Sequence, residues 1–118
     1  MQPSPVDSVL LVGFGGPEGP ADVLPFLRTV TSGREVPEER LSEVAAHYLE
    51  AFGGVSPINA QVMALARALQ EALTEAGAAL PVYWGNRNWH PFLAETVGRM
   101  GAAGRRHGLY LPKSPYPS

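Results

Sequence analysis

Two stretches carry most of the side chains that could do chemistry. The first is Gly13-Phe14-Gly15-Gly16-Pro17-Glu18, three glycines in four positions with one large ring among them. The second is Asn86-Arg87-Asn88-Trp89-His90-Pro91-Phe92, which mixes amides, a guanidinium, an imidazole and rings. Glycines allow a backbone to turn sharply and approach a ligand closely. Rings stack on a flat ligand, and a guanidinium pairs with a carboxylate, so the second stretch suits a planar anion. Arg87 capping a carbonyl and Trp89 packing inward is the competing account. A dinucleotide fingerprint fails, because Glu18 stands where a small residue should pack helix against strand. Its carboxylate would also repel a phosphate at a helix N-terminus.

Other candidates are more scattered. Ser56 before Pro57 specifies a helix start, where serine accepts from a first-turn N–H; the same end could hold an anion. His47 sits on the polar side of an acidic helix, as a solvated residue or a ligand contact, and Tyr48 beside it fits a core rim. His47, His90 and His107 show no local metal-site spacing, and neither a G-x-S-x-G elbow nor a paired-acid motif occurs.

These residues need elements to position them. Val9–Val12 is a four-residue apolar run of the kind buried on both faces in a parallel sheet. Ala21–Leu27 reads as a short helix with Val23, Leu24 and Leu27 inward. Pro37-Glu38-Glu39 opens a second helix with a face of Leu41, Val44, Ala45, Tyr48, Leu49 and Phe52, closed by Gly53-Gly54. The third runs from Ser56 to Gly77 with Ile58, Val62, Leu65, Ala66, Leu69, Leu73 and Ala76 in its stripe. Leu80–Gly85 is a second strand. Pro91 starts a fourth helix with Leu93, Thr96, Val97 and Met100 inward, and Gly108–Leu111 is a third strand, after which Pro112–Ser118 leaves the sheet. The expected fold class is α/β: a three-layer, Rossmann-like parallel sheet with flanking helices, incomplete at three strands.

Composition narrows the function. A net charge of −2 with 17% charged residues offers no basic field, which disfavours nucleic acid. The chain has no cysteine, so it has no disulfide, thiolate metal site or iron–sulfur ligand; a reducing cytoplasm is the expected location. Neither a signal peptide nor a transmembrane segment is visible.

The motifs Leu10–Glu18, Val23–Arg28, Pro37–Leu41, Gly53–Asn59 and Pro81–Phe92 occur in an order that resembles the N-terminal third of ferrochelatases, most closely the actinobacterial coproporphyrin type. The resemblance runs from about Val6 to Leu111. It implies two Rossmann-like domains around a cleft in which ferrous iron, as a substrate, enters a porphyrin during haem synthesis with no organic cofactor. Phe14 would stack under the macrocycle and could not ligate iron. Thr31, His47, Tyr48 and Ser56 fall near positions that touch porphyrin or its propionates, and Arg87 and Asn88 at a pocket wall. At the third strand's end, Leu109–Ser118 keeps the family's serine, tyrosine and serine but has three prolines and a lysine in place of their neighbours, so the resemblance implies an altered loop there. The family's iron-binding histidine and glutamate belong to a later part of the chain. Residues 1–118 are therefore expected to be a first-domain portion, lacking catalytic and metal residues and the sibling domain, and at best a weak porphyrin binder alone. A flavodoxin-like module for a planar anion is the alternative, and a chain unable to fold alone a third.

Overall fold

The computed structural model describes residues 6–113. Strand β1 (Ser8–Gly13) is buried at every position, as a strand covered on both faces requires. It lies between β2 (Val82–Asn86) and β3 (Gly108–Pro112), both parallel to it. Four helices connect them: α1 (Val23–Val30), α2 (Glu38–Phe52), α3 (Pro57–Glu75) and α4 (Leu93–Ala102).

The register assigns each helix a face. Val9 pairs with Val82 and Leu10 with Tyr83, so side chains alternate together across the sheet. Val62 of α3 reaches Gly13 on one face, whereas Met100 of α4 packs with Leu10 and Val12 on the other. This is the expected three-layer arrangement. The chain moves from β1 to β2 under α3, then back across β1 to β3 under α4. Reversing both direction and face keeps the two crossovers of one hand.

The helical faces differ in detail from the periodicity. Helix α1 follows a 3₁₀ turn (Pro20–Asp22), and its buried pair is Val23 and Phe26 rather than Val23 with Leu24 and Leu27. In α2 only Leu41 and Ala45 are fully buried; Leu49 and Phe52 are exposed near the helix end. In α3 the buried residues are Asn59 and Val62, and Leu65 is exposed. Helix α4 starts at Leu93, two residues past Pro91, and turns Thr96 and Met100 inward while Val97 faces outward. Three strands present a narrow surface to each helix, so a stripe wide enough for a larger sheet is only partly covered.

The free edge of β2 is closed by a side chain. The Gln70 amide donates to Leu80 O at 2.9 Å and accepts from Val82 N at 2.9 Å, an imitation of a neighbouring strand that blunts the edge. At the other edge β3 extends one residue beyond the expectation. Pro112 pairs with Val12, and Lys113 N donates to Val12 O at 2.7 Å. Alternate residues donate to β1, so the proline's missing N–H faces the open side, where it costs no ladder bond. The remainder of the expected terminal loop, Ser114–Ser118, and the segment Met1–Pro5 lie outside the described residues.

Candidate functional site

Loop 1 (residues 14–19) and loop 2 (residues 87–92) leave the carboxyl ends of adjacent parallel strands, where open α/β sheets form their clefts. Their pairing continues past the strands. Arg87 N donates to Gly13 O and Asn88 N to Phe14 O, each at 3.0 Å. Phe14 is therefore held through its own carbonyl, half-buried, beside Arg87 and Asn88 of loop 2.

The glycines of loop 1 serve protein packing. A Cβ on Gly13 would lie 2.5 Å from Asn86 Oδ1, and one on Gly16 would lie 2.5 Å from Ser56 Cβ. Gly15, at φ +94°, would meet Trp89 N at 2.9 Å. The close approach anticipated for a ligand is thus made by loop 2 and by the start of α3. The turn's own N–H at Glu18 is taken by Asp22 Oδ2 at 3.0 Å.

The anticipated residues fall into two groups and two outliers. Phe14, Arg87 and Asn88 adjoin through the loop pairing. Arg87 is exposed, its guanidinium donates to Tyr110 Oη at 3.3 Å, and it caps no carbonyl among the described residues. Ser56 and Tyr48 gather around Gly16, whose Cβ position is 3.9 Å from the Tyr48 hydroxyl. Ser56 is buried and caps α3, accepting from Ile58 N at 3.2 Å; its N–H donates to Pro17 O at 2.9 Å. The Tyr48 ring tilts against Phe52 at 5.1 Å. Thr31 lies apart at the end of α1 and donates its hydroxyl to Leu27 O at 2.8 Å. His47 is exposed on α2 and makes no hydrogen bond or ion pair among the described residues.

Trp89 packs inward. Its ring meets Phe26 of α1 edge-on at 6.0 Å and Phe92 at 6.3 Å, tying loop 2 to the helix after loop 1. Among the described residues no group of three His, Cys, Asp or Glu side chains could hold a metal ion. No helix there is long and apolar enough to cross a membrane.

A ferrochelatase family model matches residues 6–118, nearly the whole chain and both loops. The chain belongs to the ferrochelatase family. It is 57% identical over 115 residues to the coproporphyrin III ferrochelatase of Streptomyces coelicolor, covering 98% of this chain and 30% of that protein. A coproporphyrin III ferrochelatase of Frankia alni is 57% identical over 113 residues, 96% of this chain and 28% of the relative. A ferrochelatase of Rhodopirellula baltica is 55% identical over 105 residues, 89% and 30%. The chain thus spans about 30% of the length of the curated relatives it matches.

Two buried residues of this ferrochelatase-family chain have a role that residue type does not show, although Asn86 belongs to the second chemistry-bearing stretch. Asn59 and Asn86 join loop 1, α3 and loop 2 by side-chain hydrogen bonds. The available signal was Asn59 inside an apolar stripe, three residues past the cap. Behind the same loops, at the β2 edge, lies a cavity of about 360 Å³ bounded by Glu18, Asn59, Met63, Trp84, His90 and Glu95. None of the seven anticipated residues lines it.

Proposed function

We propose that this chain contributes the porphyrin-docking surface of a coproporphyrin-type ferrochelatase reaction, in which ferrous iron, the metal substrate, is inserted into the macrocycle. One observation carries the reading: an aromatic face, Phe14, at the end of the central strand is stitched by its carbonyl to the loop bearing Arg87. A porphyrin is a flat π-system with ionised carboxylates at its rim. Phe14 stacks on the ring, and the exposed Arg87 guanidinium meets a propionate in a charge-assisted hydrogen bond. Asn88 lines the wall beside them. Tyr48 offers its hydroxyl at the rim near Gly16, and Ser56 shapes that rim by fixing the start of α3. Thr31 and His47 take peripheral places, on the end of α1 and the outer side of α2.

The names of the relatives support coproporphyrin as the ligand to try first. We assign metal delivery and pyrrole deprotonation to the family's iron-binding histidine and glutamate, which the family resemblance places in a later part of the chain. The chain by itself therefore binds porphyrin without metallating it.

The experiment is a titration of coproporphyrin III with the full chain, followed at the Soret band, with ferrous iron added afterwards under reducing, anaerobic conditions. A saturable shift at micromolar protein, with no metalloporphyrin spectrum after iron, is the expected result. An unchanged Soret band overturns the porphyrin reading, and metallation overturns the division of labour.

A further inference from the structure

Behind the two loops runs a continuous line of amide hydrogen bonds. The Trp84 indole N–H donates to Asn86 Oδ1 at 3.1 Å. Asn86 Nδ2 donates to His90 O at 3.1 Å and to Asn59 Oδ1 at 3.5 Å. Asn59 Nδ2 donates to Gly16 O at 2.8 Å and to the Glu18 carboxylate. Asn86 is 0% exposed and Asn59 2%.

Each primary amide has two N–H donors, and all four are used. The line also has only one workable orientation. Turning Asn86 over would set its NH₂ against the indole N–H, and turning Asn59 over would aim its oxygen at the Gly16 carbonyl and the Glu18 carboxylate. An apolar pair of similar shape would leave the Gly16 and His90 carbonyls without these donors, a penalty that grows with burial. The network therefore specifies one relation between three segments that are distant in sequence.

Resting on the porphyrin reading above, we propose that Asn59 and Asn86 are the positioning pair of the tetrapyrrole-facing surface. They hold loop 1, the first turn of α3 and loop 2 together so that Phe14 and Arg87 meet one ligand at once. Neither asparagine touches the ligand. Asn59 acts on Phe14 through the Gly16 carbonyl, two residues along the same loop. Asn86 acts on Arg87 and Asn88 through its place at the end of β2 and its hold on His90, which closes loop 2 from the far side. Gly13 belongs to the same device, because a Cβ there would occupy the space of Asn86 Oδ1.

The test compares Asn59→Ala and Asn86→Ala with Met100→Ala, a core truncation on the opposite face of the sheet. Coproporphyrin III affinity, melting temperature and backbone amide exchange are measured on each full-length variant. Positioning predicts that both asparagine variants lose tenfold or more in porphyrin affinity. It also predicts faster exchange at Arg87 and Asn88, whose N–H groups bridge the loops. Met100→Ala melts earlier yet binds within twofold of the parent. Affinity that falls in step with melting temperature across all three overturns the proposal. Should the parent chain bind no porphyrin, the functional reading fails separately, and exchange still decides: selective acceleration at Arg87 and Asn88 sustains the positioning role, and unchanged rates refute it. Asn59→Ser, a milder change that shortens the reach to Gly16, carries the same comparison if an alanine variant does not fold.

Discussion

Ser56 Oγ stands 2.7 Å from the point where a Cβ on Gly16 would sit, and Ser56 Cβ is closer still at 2.5 Å. Ser56 cannot retreat easily, since its N–H is bonded to Pro17 O and its hydroxyl caps α3. Gly16→Ala therefore forces loop 1 and the α3 start apart. The expected loss is about 1–3 kcal/mol, the usual range for overpacking a tight site. Gly19→Ala, where an added Cβ meets nothing within 4 Å, serves as control and stays within about 0.5 kcal/mol of the parent. Urea unfolding of the two variants checks this, and equal losses would mean that the Gly16 contact is not tight.

The same contact predicts a coupling. Ser56→Ala removes the cap and costs about 1 kcal/mol, whereas Ser56→Gly removes both the cap and the obstructing Cβ. Combining Gly16→Ala with Ser56→Gly should then cost less than the two single changes added together, by at least about 0.5 kcal/mol. A double-mutant cycle in urea measures the difference directly. Strict additivity would show that the clash is absorbed elsewhere.

Arg87 separates recognition from support. Its guanidinium is exposed and, among the described residues, hydrogen-bonds the Tyr110 hydroxyl alone, so Arg87→Ala should leave stability nearly unchanged. Loss of a charge-assisted bond to a propionate is worth about 1.5–3 kcal/mol, roughly 10- to 150-fold in coproporphyrin affinity. Arg87→Lys should recover part of that loss, and Tyr110→Phe should leave affinity within about twofold. Soret titrations at low and moderate salt give the readout, and added salt should weaken the parent more than Arg87→Ala. Parent-like affinity in Arg87→Ala would remove Arg87 from the binding surface.

Several features were legible in the sequence because one local cause decides each. The apolar run Val9–Val12 has no stable place except the middle of a parallel sheet, and Ser56-Pro57 leaves little freedom about where α3 begins. The five ordered motifs were legible in another way, as a family pattern. What stayed hidden depends on partners far along the chain. Asn59 is a polar residue within an apolar stripe with no visible partner until Gly16 and Asn86, 43 and 27 residues away, are brought beside it. The three glycines looked like a ligand cradle because a sequence cannot show that loop 2 already fills the space. Leu65 and Val97 fit an apolar stripe equally well, and only the narrow sheet leaves them outside. The clip made by Gln70 has no sequence signature, since its partners are backbone atoms of residues 80 and 82.

Acid should loosen the end of the sheet remote from the loops first. Asp7 holds the entrance of β1 to the segment before β3: its Oδ2 accepts from Arg106 N at 2.8 Å and His107 N at 3.3 Å, and its Oδ1 accepts from Ser8 Oγ at 2.9 Å. The Arg106 N–H chiefly holds the carboxyl below its ordinary value; burial opposes it, and Ser8, the His107 N–H and the His107 charge add to the lowering. A carboxyl whose folded pKa lies below its unfolded value stabilises the fold when ionised in both states. That contribution is present above the unfolded pKa and disappears as pH falls through the folded one. The urea midpoint should therefore decline as pH falls through and below the ordinary carboxylate range, about pH 4, and Asp7→Asn should flatten the Asp7 share of that decline while lowering the plateau at pH 7. Amide exchange at Arg106 and His107 should accelerate over the same interval in the parent, ahead of the amides of β2. If the decline keeps its full slope in Asp7→Asn, the acid sensitivity belongs to other carboxylates, and the Asp7 clasp contributes little to it.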